Sequence, residues 1–511
     1  MSSKLAGVIL TGIVLTYSLF NFFYNLDVKS FYCDEVTYSL AGLEYLQGNF
    51  TRNPEHPFLG KYLMGLSLRL LGRSDFSARL PCALFGFLTG VVIFVFAREV
   101  AGLTGGLMAV CLWSTSPIVL WVSRRALLDA PAVFFFTLSW YAFWRFFETE
   151  ETRYALWGGV ALGLAAATKL LTAILVPISF LYLGFINLKE GSAPKWPLLG
   201  KMTLALLIAL ALLLLTYAPV LDRLGSVLQT MREHWSWEQR YGHREVISGV
   251  IYDKQPWWTY LYWYWRGYLP YLPSYSPGVL ALLGLGIGFA LLRRERLDLF
   301  LLLSLLLPFA YLSFYLSFKM FRYAAIFEPP LAILAASFAS AVSAYLEKLR
   351  SQDYLHWAFV LLVTGAILYS MVQTSWGIYT QQENRYKAVA SYLLPRLEGG
   401  EVIFVWGYTS AMRWYMGEGV EIEGGFNSNS FVGDYREADY IVVDPLMPSK
   451  WPDDPLNAYL QSNEAAYIEQ AIGGVRLYIR RRYSMWSAKS PDFALRRRES
   501  SHSRVSGMWS D

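Results

Sequence analysis

The stretch GKMTLALLIALALLLLTYAP, residues 200–219, carries a single charged side chain, Lys201. A helix of this length spans roughly 30 Å, which is the thickness of the hydrocarbon core of a bilayer. Similar apolar runs recur along the chain, and their length favours membrane spans over buried helices of a soluble protein. The pattern predicts about 11 spans, near residues 5–23, 81–97, 103–121, 131–147, 154–168, 170–187, 200–219, 274–292, 298–317, 323–344 and 355–375.

The composition of the whole chain agrees with an α-helical polytopic membrane protein. Of 511 residues, 55% are hydrophobic and only 16% are charged, and a soluble protein of this size could not bury so much apolar surface. The net charge of +5 is small and gives no reason to expect a nucleic-acid partner. Basic residues of membrane proteins usually meet lipid headgroups. We therefore expect a multi-pass protein of the cell membrane that is surrounded by membrane lipids.

The connections between the predicted spans fall into two sets if the spans simply alternate in direction. One set is short and charged, and it includes Lys189, Lys195 and the run Arg293–Arg296. The positive-inside rule therefore places this set in the cytoplasm. The other set contains the long segments 24–80 and 220–273. Segment 24–80 is also basic, but long loops follow the rule poorly, so we expect both long segments on the extracytoplasmic face.

The chain becomes more polar after residue 376, where the last predicted span has ended. A helical pattern at 383–396 precedes short β-like runs at 401–406, 440–444 and 475–479. This succession predicts a small α/β domain. We expect a membrane domain over 1–376, an extracytoplasmic α/β domain over 377–483, and a disordered tail over 484–511, which is rich in Ser and Arg.

The acidic pair Asp34-Glu35 follows directly after the first span. Acidic residues at such a place are costly and are often retained for function. Two adjacent carboxylates cannot both lie on the same face of a helix or strand. One can therefore act on a substrate while the other holds the loop or a cation. The alternative is that the pair only caps the helix that follows, because carboxylates stabilise a helix N-terminus.

Further charged residues lie near the predicted ends of spans on the same face. The segment Glu55–Lys61 combines a carboxylate, an imidazole and an ammonium group, and it leads into an amphipathic stretch, Tyr62–Leu71, that is typical of a helix at the membrane surface. Cationic donors are what a phosphate requires, but snorkelling to lipid headgroups is the alternative for each. For Asp129, the alternative is capping of the helix that starts near Pro131. The candidates are His56, Lys61, Arg125, Asp129, Lys169, Lys319 and Arg322.

The long segment 220–273 is rich in histidine and tryptophan. A metal site made from Glu55 and a histidine of this segment, with His243 as the weak candidate, has no ligand spacing that matches a compact metal motif. The metal, and with it any cofactor, stays unknown from the sequence, although a divalent ion remains an option. The tryptophans are typical of a membrane-interface belt, and the same residues also stack on sugar rings.

Three of these motifs together resemble the protein O-mannosyltransferase family. That family has an Asp-Glu pair, a His-Pro-Pro-Leu-Gly-Lys run and an Arg-x-x-Leu-Leu-Asp run, in this order. They correspond here to Asp34-Glu35, His56–Lys61 and Arg125–Asp129, with Phe58 in place of the second proline and with Arg124 at the first position of the six-residue run. The chain is also similar to the related aminoarabinose transferases that modify lipid A. The resemblance covers about residues 1–375 and includes the late run Lys319–Tyr323.

The resemblance implies the GT-C fold, in which the first loop forms helices at the outer surface of a transmembrane bundle. It implies transfer, with inversion, of a sugar from a polyprenyl-phosphate donor to a hydroxyl of a protein, lipid or glycan acceptor. Asp34 would act as the base, Glu35 would position the acceptor or stabilise the oxocarbenium-like centre, and Asp129 would orient the site. The expected phosphate ligands are His56, Lys61, Arg125, Lys169, Lys319 and Arg322.

Two other classes of protein stay open at this point. A transporter or flippase for a lipid-linked sugar would use the same cations and would need no base. Transporters often show inverted repeats and interrupted helices near the membrane midplane, whereas here the ionisable residues gather at one face. A structural partner in a glycan-assembly complex would give the acidic pair no role.

Overall fold

The computed structural model divides into two compact units, Met1–Tyr386 and Lys387–Asp511. The predicted tail 484–511 and the weak metal candidate His243 lie outside the part of the chain that the structure describes. The division between the units falls ten residues after the boundary expected at 376, because the last long helix of the first unit continues to Tyr379. The described residues are 3–190, 196–242, 244–267, 274–348, 353–380 and 384–481.

The first unit is built almost entirely from helices. Its α-helices are α1 (Ser3–Phe23), α2 (Cys33–Tyr45), α3 (Leu59–Leu71), α4 (Asp75–Thr115), α5 (Pro117–Ser123), α6 (Asp129–Thr149), α7 (Thr152–Thr168), α8 (Leu175–Glu190), α9 (Trp196–Thr216), α10 (Leu224–Tyr241), α11 (Thr259–Arg266), α12 (Pro277–Arg293), α13 (Arg296–Ala310), α14 (Glu328–Lys348) and α15 (Asp353–Tyr379). A short antiparallel hairpin, β1 (Glu245–Ile247) and β2 (Val250–Tyr252), follows α10. Short 3-10 helices occupy Leu170–Ile174, Ala218–Arg223 and Phe321–Phe327, and a π-helical turn occupies Tyr311–Tyr315.

Several of these helices are long and apolar enough to cross a membrane. Five described helices meet that criterion, and three shorter apolar helices lie at Gly7–Phe23, Leu170–Ile186 and Pro277–Arg293. The predicted class, an α-helical polytopic membrane protein, is confirmed, while the number of 11 spans stays a prediction. The five long helices are Asp75–Thr115, Trp196–Thr216, Arg296–Tyr315, Phe321–Lys348 and Leu355–Tyr379.

The longest of them, α4, consists of two antiparallel helices. The chain reverses at Gly102, whose φ of 72° is in the left-handed region that glycine adopts without steric cost. On either side of the reversal, the Trp113 indole N–H donates to the Gly86 carbonyl oxygen at 2.9 Å. In one straight helix these residues would lie about 40 Å apart. The runs predicted as separate spans at 81–97 and 103–121 therefore start in two separate helices, which pack side by side.

Helices α2 and α3 lie in direct backbone contact, and this contact places the first loop. A Cβ atom on Gly42 would lie 2.1 Å from the Lys61 carbonyl oxygen, and one on Gly65 would lie 2.2 Å from the backbone of Gly42. Only glycine at both positions allows the two helices to approach so closely. The predicted amphipathic helix over Tyr62–Leu71 is thus found as α3, held against the helix that carries the acidic pair.

The second unit is a mixed α/β structure around one five-stranded sheet. The strand order is β4-β3-β5-β7-β6, with β3 parallel to β4 and β5, and β7 antiparallel to β5 and β6. Buried side chains of β3 and β5 pack against Leu456 and Leu460. Its elements are α16 (Arg385–Leu393), which begins at the boundary, β3 (Val402–Trp406), α17 (Thr409–Met416), β4 (Glu421–Gly425), β5 (Tyr440–Val443), α18 (Leu446–Lys450), α19 (Pro455–Ser462), β6 (Tyr467–Ile472) and β7 (Val475–Arg480).

The small α/β domain predicted from the sequence is confirmed in its main elements. The three predicted strands correspond to β3, β5 and β7, and the predicted helix to α16. Strands β4 and β6 were not predicted. They are the two edge strands of the sheet, and β4 reads Glu-Ile-Glu-Gly-Gly while β6 exposes half of its residues. Neither has the apolar run from which the inner strands were recognised.

Candidate active site

The carboxylate of Glu35 is fully enclosed and joins three parts of the chain. Its Oε1 accepts from Arg79 Nε at 2.7 Å and from the backbone N–H of Ala126 at 2.8 Å. Its Oε2 accepts from Arg125 Nη1 at 3.1 Å and from the backbone N–H of Tyr32 at 2.8 Å. The last bond closes the first turn of α2, so the predicted capping role is part of what Glu35 does.

Arg79, on α4, extends this network to the loop after α1. Its guanidinium donates to the carbonyl oxygens of Leu26 at 2.6 Å, Lys29 at 2.8 Å and Ser30 at 3.2 Å. Burial alone would raise the pKa of the Glu35 carboxyl, but the charges of Arg79 and Arg125 outweigh it and hold that pKa below its usual value. Glu35 is therefore a charged anchor for the loop.

The neighbouring carboxylate, Asp34, belongs to a different cluster. Arg322 Nη1 lies 2.5 Å from Asp34 Oδ2, and Arg322 Nε lies 3.9 Å from Asp129 Oδ2. The other oxygen of Asp129 lies 2.5 Å from Lys169 Nζ. Two carboxylates and two cations thus alternate in one chain of ion pairs, with a formal net charge of zero.

The four residues of this ion-pair chain come from separate parts of the fold. Asp34 stands in the first turn of α2, and Asp129 is the first residue of α6. Lys169 connects α7 to the turn that precedes α8, and Arg322 lies in the turn Phe321–Phe327 before α14. The N-cap position of α6 is occupied by Leu128 and not by Asp129. Asp129 is held by its ion pairs with Lys169 and Arg322.

Aromatic residues border the ion-pair chain. Lys169 Nζ lies 4.3 Å from the centre of the Tyr323 ring, a distance typical of a cation–π contact. Tyr38 stands one turn after Asp34 on α2 and is buried. Burial, followed by the charge of Asp34, raises the pKa of the Tyr38 hydroxyl. Tyr38 is not among the residues predicted from the sequence, although its i, i+4 spacing from Asp34 was a usable signal.

His56, a residue of the first loop, lies between α2 and α10. Its ring packs edge-to-face on Tyr38 at 5.8 Å and on His234 at 5.6 Å, measured between ring centres. His234 Nε2 in turn lies 3.4 Å from Glu238 Oε1. Burial, together with the charge of Lys61, lowers the pKa of His56 to about 3, so its imidazole is neutral near pH 7. The hydrogen bond with Glu238 raises the pKa of His234.

Two of the predicted phosphate ligands are engaged with backbone carbonyl groups. Lys61 Nζ donates to the Asn53 carbonyl at 2.5 Å, to Asn53 Oδ1 at 3.2 Å and to the His56 carbonyl at 2.8 Å. Lys319 Nζ donates to two carbonyls, including that of Gln255 at 2.9 Å. An ammonium group has three donors, so Lys61 has none left over. Burial lowers the pKa of Lys61 to about 7.

Other predicted cations keep donors that no described residue accepts. Within the described part of the chain, Arg125 donates only to Glu35, and its guanidinium lies over the Trp121 ring, 5.0 Å from the ring centre. Among the described residues, neither the Trp121 indole N–H nor Arg322 Nε has a hydrogen-bond partner, and both nitrogens are buried. Buried donors of this kind are costly unless something accepts from them. Arg125, Lys169 and Arg322 are thus the cations best placed for an anionic ligand.

The structure does not assemble the weak metal candidates. Within the described ranges, no group of three or more His, Cys, Asp or Glu side chains is arranged to hold a metal ion. Glu55 accepts a short hydrogen bond from Asn53 Nδ2, and its suggested partner His243 lies outside the described ranges.

Comparison with known proteins confirms the resemblance that the motifs indicated. Residues 55–215 match the family described as dolichyl-phosphate-mannose-protein mannosyltransferase. An uncharacterised protein of Aquifex aeolicus is 29% identical over 186 residues, which is 34% of this chain and 37% of that relative. The aligned segment therefore spans little more than a third of the relative's length.

Solved structures share the fold over most of the chain. ArnT from Cupriavidus metallidurans bound to undecaprenyl phosphate has a TM-score of 0.62 at 14% identity, covering 93% of this chain and 98% of that one. An oligosaccharyltransferase of Archaeoglobus fulgidus tethered to an acceptor peptide has a TM-score of 0.59 at 13% identity, covering 95% and 75%. The fold is the GT-C fold of membrane glycosyltransferases. The family match over residues 55–215 agrees with the motifs in the first part of the chain.

Proposed function

We propose that this protein is a membrane glycosyltransferase that moves a sugar from a polyprenyl-phosphate donor to a hydroxyl acceptor, with inversion, on the extracytoplasmic face. The observation that carries the proposal is the ion-pair chain Asp34–Arg322–Asp129–Lys169, because it puts a partly exposed carboxylate beside cations that have donors to spare. The mannosyltransferase family match favours a mannose-like sugar.

The proposed reaction is a single displacement at the anomeric carbon. The acceptor oxygen forms a bond to that carbon on the face opposite the phosphate, and the bond from the carbon to the phosphate oxygen breaks. The electron pair of that bond leaves with the lipid phosphate. The hydroxyl is a poor nucleophile, so its proton is taken up as the new bond forms. Asp34 is the proposed base, because its side chain is 26% exposed and can reach an entering hydroxyl.

The leaving phosphate gains charge as its bond to the sugar breaks, and fixed cations therefore stabilise the transition state more than the bound donor. Arg322 and Lys169 are the proposed primary ligands, since each has donors beyond its carboxylate. Arg125 contributes from the Glu35 side. Lys61, also a candidate from the sequence, would have to give up one of its three hydrogen bonds to bind a phosphate. Lys319 is held by two backbone carbonyls. The proposed role of both lysines is to hold the loops around the phosphate. Neutral His56 borders the cluster and can act as one hydrogen-bond donor.

Glu35 receives a different role from the one first expected. Its two oxygens already accept from two arginines and two backbone N–H groups, and its side chain is fully buried. We propose that it positions Asp34 and Arg125 without touching the acceptor. Asp129 remains the residue that orients Lys169 and Arg322.

The identity of the acceptor is left at the level of its chemistry. A hydroxyl on a protein, lipid or glycan satisfies the mechanism. The distribution of charged connections along the sequence supports the extracytoplasmic site, and alternation of the predicted spans supports the same face for the α/β unit.

The proposal is tested by incubating the purified full chain with radiolabelled polyprenyl-phosphate mannose and a pool of hydroxyl acceptors. Release of free lipid phosphate together with labelled acceptor would support it. Binding of the lipid without turnover, combined with lipid movement across liposomes, would instead support the flippase alternative. Parallel incubation with polyprenyl-phosphate aminoarabinose separates the two branches of the resemblance.

A further inference from the structure

The charges of the candidate site are already paired with each other in the structure. Asp34 is held by Arg322, and Asp129 is held by Lys169. An arginine beside a carboxylate stabilises its charged form and so weakens it as a base. The same arginine is one of the cations that the donor phosphate needs. The two tasks proposed for this site, binding a phosphate and accepting a proton, therefore compete for Arg322.

The geometry of Arg322 shows how the competition can be resolved. Its Nη1 is bonded to Asp34, while its buried Nε has no hydrogen-bond partner among the described residues. A guanidinium presents its donors as a planar fork that fits two oxygens of a phosphate. The donor phosphodiester carries one negative charge, as a carboxylate does, and its two non-bridging oxygens can both accept from this fork, so it can take the place of Asp34.

The two carboxylates near Arg322 differ in how easily they can separate from its guanidinium. The Asp34 side chain is 26% exposed, whereas that of Asp129 is 4% exposed and is fixed by Lys169 at 2.5 Å. Water can solvate Asp34 after separation, and burial denies this to Asp129. Asp129 stays 3.9 Å from Arg322 Nε and keeps the guanidinium in place. Asp34 is thus the carboxylate that separates from Arg322.

We infer that Arg322 exchanges Asp34 for the donor phosphate, so that Asp34 becomes a competent base only once the donor is bound. This inference rests on the proposed function and adds an order of events to it. The donor binds before the acceptor hydroxyl can be activated. A site that holds no donor keeps its base neutralised by Arg322.

The exchange has a consequence for binding alone, without any turnover. Removing the charge of Asp34 removes the anion that competes for Arg322, and the phosphate should then bind more tightly. We expect the Asp34→Asn protein to bind undecaprenyl phosphate about tenfold more tightly than the wild type, the effect of one modest ion pair. Loss of transfer in the same variant is expected too, but the gain in affinity is specific to the exchange.

The experiment measures binding of undecaprenyl phosphate, and of undecaprenol as the uncharged probe, to the full chain in detergent. The variants are Asp34→Asn, Asp34→Ala and, as the matched control, Glu238→Gln, which removes a buried carboxylate that pairs with His234. Tighter phosphate binding in both Asp34 variants, with at most a twofold change for Glu238→Gln and no change for undecaprenol, supports the exchange.

Two results would contradict different parts of the argument. If the wild type binds both lipids equally, the phosphate donor itself is wrong and the proposed function fails. If the wild type prefers the phosphate but the Asp34 variants bind it no more tightly, or Glu238→Gln gains as much, the proposed function survives and the exchange does not. Having two Asp34 variants guards against one of them failing to fold, which thermal unfolding of each protein reports.

Discussion

Asp34 and Glu35 are neighbours on α2, yet the structure gives them opposite surroundings. The Glu35 side chain is completely buried and accepts from Arg79, Arg125 and two backbone N–H groups. The Asp34 side chain is partly exposed and faces Arg322 across an ion pair of 2.5 Å. The same functional group is thus an anchor at one position and a candidate for chemistry at the next. Exposure separates the two, since the functional group is the same.

The comparison extends to the cations around each carboxylate. Arg79 uses its guanidinium on Glu35 and on three backbone carbonyls, so it holds the loop after α1 in place. Arg322 bridges two carboxylates from different helices and keeps a buried donor without a partner among the described residues. A network in which every donor is satisfied gives rigidity. A network with spare donors can take up a ligand.

The largest expected effect comes from Asp34. Replacing Asp34 with Asn should lower the rate of sugar transfer by about 10²–10⁴-fold, the usual contribution of a general base, while leaving the fold intact. Single-turnover transfer from a labelled donor measures the rate, and thermal unfolding checks the fold. Glu44→Gln is the matched control, because Glu44 lies on the same helix in an exposed ion pair with Arg52. A normal transfer rate in Asp34→Asn would show that Asp34 is not the base.

Replacing Glu35 should mainly lower the stability of the protein. The Glu35→Gln change leaves two arginines, Arg79 and Arg125, without their buried counter-charge, and breaking a buried pair in this way costs about 3–5 kcal/mol. We expect a much lower unfolding temperature in detergent and poor yield. If Glu35→Gln were as stable as the wild type but inactive, Glu35 would act on the substrate, and the contrast with Asp34 would collapse.

Changing Lys61 tests whether this residue only holds the first loop or also binds the phosphate. Its ammonium holds Asn53 and His56 of the first loop through three hydrogen bonds. Lys61→Met leaves the Asn53 and His56 carbonyl groups without this donor, and both bonds are only partly buried. We therefore expect a total loss of stability of about 1–3 kcal/mol. Affinity of the folded fraction for undecaprenyl phosphate should change less than twofold. A loss of more than tenfold would return Lys61 to the phosphate ligands.

Much of the fold follows from patterns that are local in the sequence. Apolar runs indicated the membrane helices, and β-branched runs gave the three inner strands of the second unit. The edge strands β4 and β6 were missed, since an edge strand is half exposed and needs no apolar run. The reversal at Gly102 was anticipated only as a gap between two spans.

The residues of the candidate site were predicted from the sequence. Which of them hold the loops and which are available to a ligand was not. Motifs selected Asp34, Asp129, Lys169 and Arg322, which the structure brings into one chain of ion pairs. They could not show that Lys61 is fully engaged with carbonyl groups, because those partners are fixed by how the loop folds back on α3. Spacing along the chain identifies chemistry, whereas tertiary contacts decide which groups are free to perform it.

Lys169 gives the smallest effect, and it is seen only as a pH dependence. Burial, opposed by the charge of Asp129, lowers the pKa of its ammonium group to about 8. The group binds a phosphate only while protonated, so kcat/KM for the donor should be constant below this pKa and should fall as the pH rises through about 8. One unit above the pKa only about a tenth of the lysine is protonated, which predicts a loss of about tenfold at pH 9. Arginine stays charged throughout this range, so Lys169→Arg should abolish the descending limb even if its maximal rate is lower. An unchanged pH profile in Lys169→Arg would assign the limb to another group and would leave Arg322 as the principal phosphate ligand.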